Sequence, residues 1–138
     1  MKCKECTNIN VTGYEQPLNA QIARVVSFVA GEGGKADFQN ERAKAHGNNT
    51  TNASYFGLLV NVGDRIWELT PKGKEWFIGN ERVPSWIRYY YKEVYEYSDQ
   101  LITIKQALQV ESRYKFIDPP EWLLKKRRHK HFRQMEIV

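Results

Sequence analysis

Trp67-Glu68-Leu69-Thr70-Pro71-Lys72-Gly73-Lys74 is the stretch from which the rest of this chain is best read. Ile66 alternates with Glu68 and Trp67 with Leu69, which is the period of a half-buried strand. Thr70 is a helix-capping residue, and Pro71 stands at a first helical position, where its missing N–H costs nothing. Trp76 and Phe77 then supply apolar positions before Gly79 closes the helix. Working upstream, Arg65 to Leu69 is a return strand, Gly63-Asp64 a tight turn, and Leu58 to Val62 the outgoing strand. Before that come a short helix over roughly 51–56, with Thr50 as its N-cap and Ala53 and Phe56 facing inward, and a helix over roughly 36–46 that ends at Gly47. An amphipathic helix precedes both. Leu18, Ile22, Val25, Val26 and Val29 recur at i, i+4, i+7, i+8 and i+11, and Gly31, Gly33 and Gly34 stop it.

Ala43 followed four residues later by Gly47 resembles the small residue and turn glycine of a helix-turn-helix motif. The small side chain lets two helices approach, and the glycine takes the strained turn. Arg42, His46 and Asn48 depart from that motif, which prefers apolar groups at their positions. The strand-turn-strand that follows, with its Leu69-Thr70-Pro71-Lys72-Gly73 junction, resembles the wing-to-helix junction of winged-helix proteins. The expected fold class is α+β. A cysteine-bearing, irregular lead occupies 1–16, a winged helix-turn-helix 17–82, a small aromatic-rich β extension 83–118, and a basic C-terminal helix or tail 119–138. In the extension, Trp86 to Tyr97 reads as two short strands and Ile102-Thr103-Ile104 as a third, before a helical turn around Ala107 and Leu108. Trp122 is the expected anchor of the last helix.

The chain has 138 residues and a formal charge of +5, and the location of that charge matters more than its size. Residues 125–138 carry six bases and one acid, so the whole excess lies there, and residues 1–124 hold 15 of each sign. A polyanion partner is therefore expected to meet the tail first. No apolar run approaches the ~20 residues that cross a membrane, so no membrane partner is expected. The N-terminus has no apolar signal core, which gives the expectation of a cytoplasmic protein with reduced thiols.

Within the winged-helix reading, the outward groups of the reader helix are Asn49, Thr51, Asn52, Ser54 and Tyr55. Asparagine pairs bidentately with adenine, and threonine or serine bonds bases or phosphate. That helix holds no Arg or Lys, so phosphate contacts fall to Arg42, Lys44, Arg65 and Lys72, with Lys125, Lys126, Arg127, Arg128 and Lys130 in the tail. Cys3-Lys4-Glu5-Cys6 has zinc-knuckle spacing, but two thiolates fill only half of a tetrahedral site. Two readings stand: reduced free thiols, or a zinc half-site at Cys3 and Cys6 with His129 and His131 as the groups that would complete it.

The C-x-x-C lead, Leu18 to Arg24, Tyr55-Phe56-Gly57-Leu58, Gly63 to Lys74 and Val83-Pro84-Ser85-Trp86 together resemble a group of small phage and mobile-element proteins. These join a short cysteine lead to a winged helix, and their function is mostly unassigned. The resemblance spans roughly residues 1–105 and implies a DNA-binding, regulatory protein. Such relatives tend to carry bases on the third helix, and this chain has none there.

No enzyme site emerges. No phosphate-cradling loop is present, and Gly31-Glu32-Gly33-Gly34 follows a helix rather than a strand. Double-stranded DNA is the leading expected partner. A host protein, such as a defence nuclease that the chain would inhibit, is the alternative. The tyrosines Tyr89, Tyr90, Tyr91, Tyr95 and Tyr97 raise a second alternative, base stacking with a single strand. The segment after Pro84 is the candidate surface for a homodimer.

Overall fold

The computed structural model describes residues 12–39 and 49–125. They form a mixed α/β fold of several short helices and three small sheets. In chain order these are β1 (Gly13–Pro17), α1 (Ala20–Gly31), β2 (Lys35–Asp37), α2 (Thr50–Tyr55), β3 (Leu59–Gly63), β4 (Ile66–Leu69), α3 (Pro71–Phe77), β5 (Val83–Pro84), β6 (Trp86–Tyr90), β7 (Glu93–Tyr97), β8 (Leu101–Ile102), α4 (Ile104–Ala107) and β9 (Lys115–Ile117). Residues 121–125 add a helical turn, α5. The sheets run β2-β4-β3, β7-β6-β1-β9 and β5-β8, with every pair antiparallel.

α1 is the centre of the core, as its apolar stripe requires. Leu18, Ile22, Val25, Val26 and Val29 are fully buried. Asn19 caps the helix, its Oδ1 accepting from the Ile22 N–H at 3.1 Å, and its amide reaches across to donate to the Ser112 carbonyl at 3.0 Å. At the other end Gly33 and Gly34 adopt φ of +89° and +97°, a region other residues avoid.

That glycine turn leads straight into a strand, which corrects the expected helix from Ala36. Lys35–Asp37 pairs with β4, placing Ala36 opposite Trp67. Ala36 is buried between exposed Lys35 and Asp37, the period of two that a helix cannot give. Lysine and alanine favour helix weakly, and pairing with a waiting strand overrides so small a preference. The remainder of that expected helix, with Arg42, Ala43, Lys44 and Gly47, lies outside the described residues, as do Cys3, Cys6 and the tail beyond Lys125.

The hairpin turn falls one residue later than expected. Gly63 ends β3, and Asp64-Arg65 makes the turn, with Arg65 in the left-handed region at φ 59°. A register shift between Asn61 and Gly63 accounts for the extra residue. α3 then follows its sequence signals. The Thr70 hydroxyl accepts from the Gly73 N–H at 2.8 Å and donates to the Gly57 carbonyl at 2.6 Å. A Cβ at Gly73 would run into the Leu58 carbonyl oxygen, so this glycine is what lets α3 lie on the chain leaving α2. Trp76 is fully buried and its indole N–H donates to the Ile102 carbonyl at 3.1 Å, tying α3 to β8.

The lead is not irregular up to residue 16. Gly13–Pro17 is a strand between β6 and β9, aligning Tyr14 with both Tyr89 and Phe116. β6 and β7 are the two expected strands, joined at Tyr91 and Lys92, both with positive φ. Ile102 lies in β8, which pairs with β5 rather than extending the larger sheet. Ile104 opens α4 behind a capping box of Thr103 and Gln106. In α5 the anchor is Leu123, fully buried, while Trp122 is 56% exposed and sets its edge against Tyr95. Neighbouring residues of one helical turn point about 100° apart, so only one of the two can face the body. Ile87, Val83, Ile102 and Ile104 join Phe38, Phe56, Leu59 and Trp76 around α1 in one continuous core.

Candidate nucleic-acid interface

α2 is short, and its two sides differ. Thr50 and Ala53 are buried, and Thr51 is exposed. Asn52 and Ser54 are half-buried. Asn49, not Thr50, occupies the N-cap, and it makes no side-chain cap bond. The Ser54 hydroxyl donates back to the Thr51 carbonyl at 2.6 Å, which commits it to its own helix.

Tyr55 does not face outward as expected. Its ring lies on Tyr89 with centroids 4.5 Å apart, and burial raises its phenol pKa. The reason is the turn that follows. Gly57, at φ +78°, and the Leu58 N–H bonded to Ala53 at 3.1 Å fold the chain back sharply, leaving the last side chain of α2 against β6.

Lys72 is an expected base that the described residues place at the end of α2. Its Cδ lies 3.5 Å from where a Cβ on Gly57 would be, so its stem crosses the turn that ends α2. Arg65 is exposed at the hairpin tip. The tip is held from behind. The Phe38 N–H donates to the Arg65 carbonyl at 2.7 Å, and the Gln39 amide donates to the Asp64 carboxylate at 3.2 Å. Val60 and Val62 are exposed on β3, an edge strand of this sheet. Lys125 is exposed at the end of the described chain.

The tyrosines expected as stacking groups divide between environments. Tyr90 is buried, Tyr91 and Tyr97 are exposed, Tyr95 meets Trp122, and Tyr89 sits in an aromatic array. That array gathers residues that lie far apart in the chain. Tyr14 stacks on Tyr89 at 5.2 Å and 22°, and also touches Tyr114 and Phe116 at 5.5 and 5.4 Å. Burial, then the neighbouring phenols of Tyr55, Tyr14 and Tyr114, push the Tyr89 phenol up to about 12. The available signal was Arg113-Tyr114-Lys115-Phe116, in which bases and rings alternate with the period of a strand.

The opposite face of the same sheet carries an ionic ladder. Glu15 accepts from Arg88 at 2.8 Å and meets the Lys115 ammonium at 3.2 Å, and Arg88 reaches Glu96 at 2.9 Å while lying 4.4 Å over the Trp86 ring. Burial alone would raise the Glu15 pKa, but hydrogen bonds from Arg88 and Lys115 outweigh it and bring the carboxyl below its ordinary value.

Among the described residues no group of three or more His, Cys, Asp or Glu side chains could hold a metal ion. Among them also no helix is long and apolar enough to cross a membrane. No protein-family model matches the chain, and no significant match was found among curated proteins or solved structures.

Proposed function

We propose that this chain binds double-stranded DNA as a winged helix-turn-helix protein, of the kind found in phages and mobile elements. The observation that carries the reading is topological. α1, β2, α2, the β3-β4 hairpin and α3 follow one another, and β4 lies between β2 and β3. That order sets a short polar helix beside a two-stranded flap. α2 would enter the major groove with Thr51 and Asn52 toward the base edges and Asn49 at its start. The Val62-to-Arg65 flap would meet the backbone, Lys72 would neutralise a phosphate at the far end of α2, and Arg42, Lys44 and the tail bases would add further phosphate contacts. Tyr55 takes a different role from the one its position suggested: it seats α2 on β6.

A fluorescence-anisotropy salt series on a duplex selected from a random pool tests the division of labour. Replacing the tail bases Lys125, Lys126, Arg127, Arg128 and Lys130 with Ala weakens binding to every sequence and flattens the salt slope. Asn52→Ala instead lowers discrimination against mismatched sites by about 1–3 kcal/mol and leaves the salt slope unchanged. Identical behaviour of the two variants contradicts the assignment.

The equal count of bases and acids in residues 1–124, 15 each, favours one rival, a protein-contact module that blocks a host machine. Truncation after Leu124 separates the two. Loss of duplex affinity with retention of a bound host protein supports the rival.

A further inference from the structure

We infer that the cleft between the ionic face of the four-stranded sheet and α5 is a binding site for an organic cation, an alkylated ammonium group. The inference uses β6, β7, β9 and α5 and does not rest on the duplex reading of α2.

The cleft has a volume of about 450 Å³, and Tyr95, Glu96, Arg88, Asp118 and Trp122 all line it. Local geometry gathers them there. Arg88 stands opposite Glu96 and Tyr89 opposite Val94, so Tyr95 is the extra residue of a bulge, and it shares the position facing Arg88 with Glu96. Tyr95 thereby joins the face that carries the ladder. Burial raises its phenol pKa, and the charges of Arg88, Glu96 and Glu15 all reach it. On the far side, the Pro120 carbonyl accepts from the Leu123 and Leu124 N–H groups at 3.1 and 3.2 Å, which starts α5. With Leu123 seated in the body, Trp122 is left lining the cleft, 56% exposed. The Tyr95 and Trp122 rings meet at 87° with centroids 6.5 Å apart, so they form two walls of a corner.

The charges in the cleft select the occupant. Arg88 is already matched, by Glu15 at 2.8 Å and Glu96 at 2.9 Å, and it rests on the Trp86 ring. Lys115 completes the ladder on Glu15, so its bases and acids balance. Asp118 is additional to that balance. It is exposed and has no hydrogen-bond or ion-pair partner among the described residues. A surplus carboxylate therefore lies in the same cleft as two aromatic walls. Ring faces attract cations, and a nearby carboxylate adds to that attraction. An anion would meet Asp118 and Glu96 while Arg88 is occupied. An alkylated ammonium needs few hydrogen bonds and suits walls made of rings, whereas a hard metal ion needs several oxygen ligands.

The test titrates isotope-labelled full-length protein with choline and with its uncharged analogue, in which carbon replaces the quaternary nitrogen. The two probes share a shape and differ in charge. Followed by tryptophan indole signals and the Tyr95 amide, choline should bind at least about fivefold more tightly than the analogue. Trp122→Ala leaves the Leu123 anchor in place, and circular dichroism checks its folding. It should abolish the preference, while Trp122→Phe should keep part of it. Asp118→Asn should weaken choline binding about threefold or more and leave the analogue unchanged. A peptide with one trimethyllysine among uncharged residues is the third probe. Tighter binding than choline supports the inference with a polypeptide as the source of the cation, and equal binding supports it with a free small molecule. Duplex affinity should be the same in Trp122→Ala and wild type, so failure of this site and failure of the duplex reading are separable. Equal binding of choline and its analogue overturns the inference, as does no binding of any probe or a preference that survives Trp122→Ala.

Discussion

Around the β3-β4 hairpin and α3 the bonds that set the structure join residues close in the chain, whereas β1 is held in the four-stranded sheet by residues far apart in it. Thr70 reaches Gly57 across 13 positions, while Glu15 reaches Arg88 across 73. The first region is organised by caps, turns and one close backbone approach. The second is organised by cross-strand partners, rings on one face and ions on the other. The first region should therefore fail at single backbone positions, and the second should lose stability in smaller, pH-dependent portions.

The largest effect is expected at Gly73. Gly73→Ala forces a methyl into the Leu58 carbonyl and should cost about 3 kcal/mol in urea denaturation, with loss of the α3 seat. A cost under about 0.5 kcal/mol, the size of an ordinary surface change, would show that α3 does not lie where described.

Glu15 comes next. Glu15→Gln leaves Arg88 and Lys115 with weakened partners and should cost about 1–2 kcal/mol at neutral pH. The folded carboxyl titrates below its ordinary value, so its contribution is complete above the unfolded pKa of about 4 and disappears as pH falls through the folded one. The wild type should lose thermal stability on acidification more steeply than the variant. Parallel curves would remove the ladder from the account.

At the alkaline end the sign reverses. With its phenol pushed up to about 12, Tyr89 stays neutral in the folded protein while its unfolded counterpart ionises from about pH 10. Stability from this group is complete below the unfolded value and lost as pH rises toward 12. A tyrosine absorbance titration should show one late phase that is missing in Tyr89→Phe.

The smallest stability change is expected at the hairpin tip. Arg65 holds φ at 59° at a position open to solvent, so Arg65→Gly should raise stability by up to about 1 kcal/mol. On the duplex reading it should also weaken binding, and opposite signs in the two measurements would distinguish a functional arginine from a structural one.

Legibility in the sequence follows the same division. The α1 stripe, the hairpin, Thr70, Pro71 and Gly79 could be read directly, because helical period and cap chemistry act within a few residues. β2 could not, because Lys-Ala-Asp has no strand signal of its own and becomes a strand only beside Trp67. β1 was hidden for the same reason: its partners lie about seventy and a hundred residues away. The candidate site was half legible. The polarity of Asn49, Thr51 and Asn52 was visible, but the turn at Gly57 that swings Tyr55 onto Tyr89 depends on tertiary packing, as does the gathering of Tyr14, Tyr114 and Phe116. Trp122 has the size of an anchor, but helical phase gives that role to Leu123.

The most direct measurement is a titration of isotope-labelled full-length protein with a selected duplex, followed by backbone amide chemical shifts. The account predicts the largest changes at Asn49 to Asn52, at Asp64-Arg65 and around Lys72. Changes confined to Lys125 and the residues after it, with α2 and the hairpin tip unmoved, would contradict it.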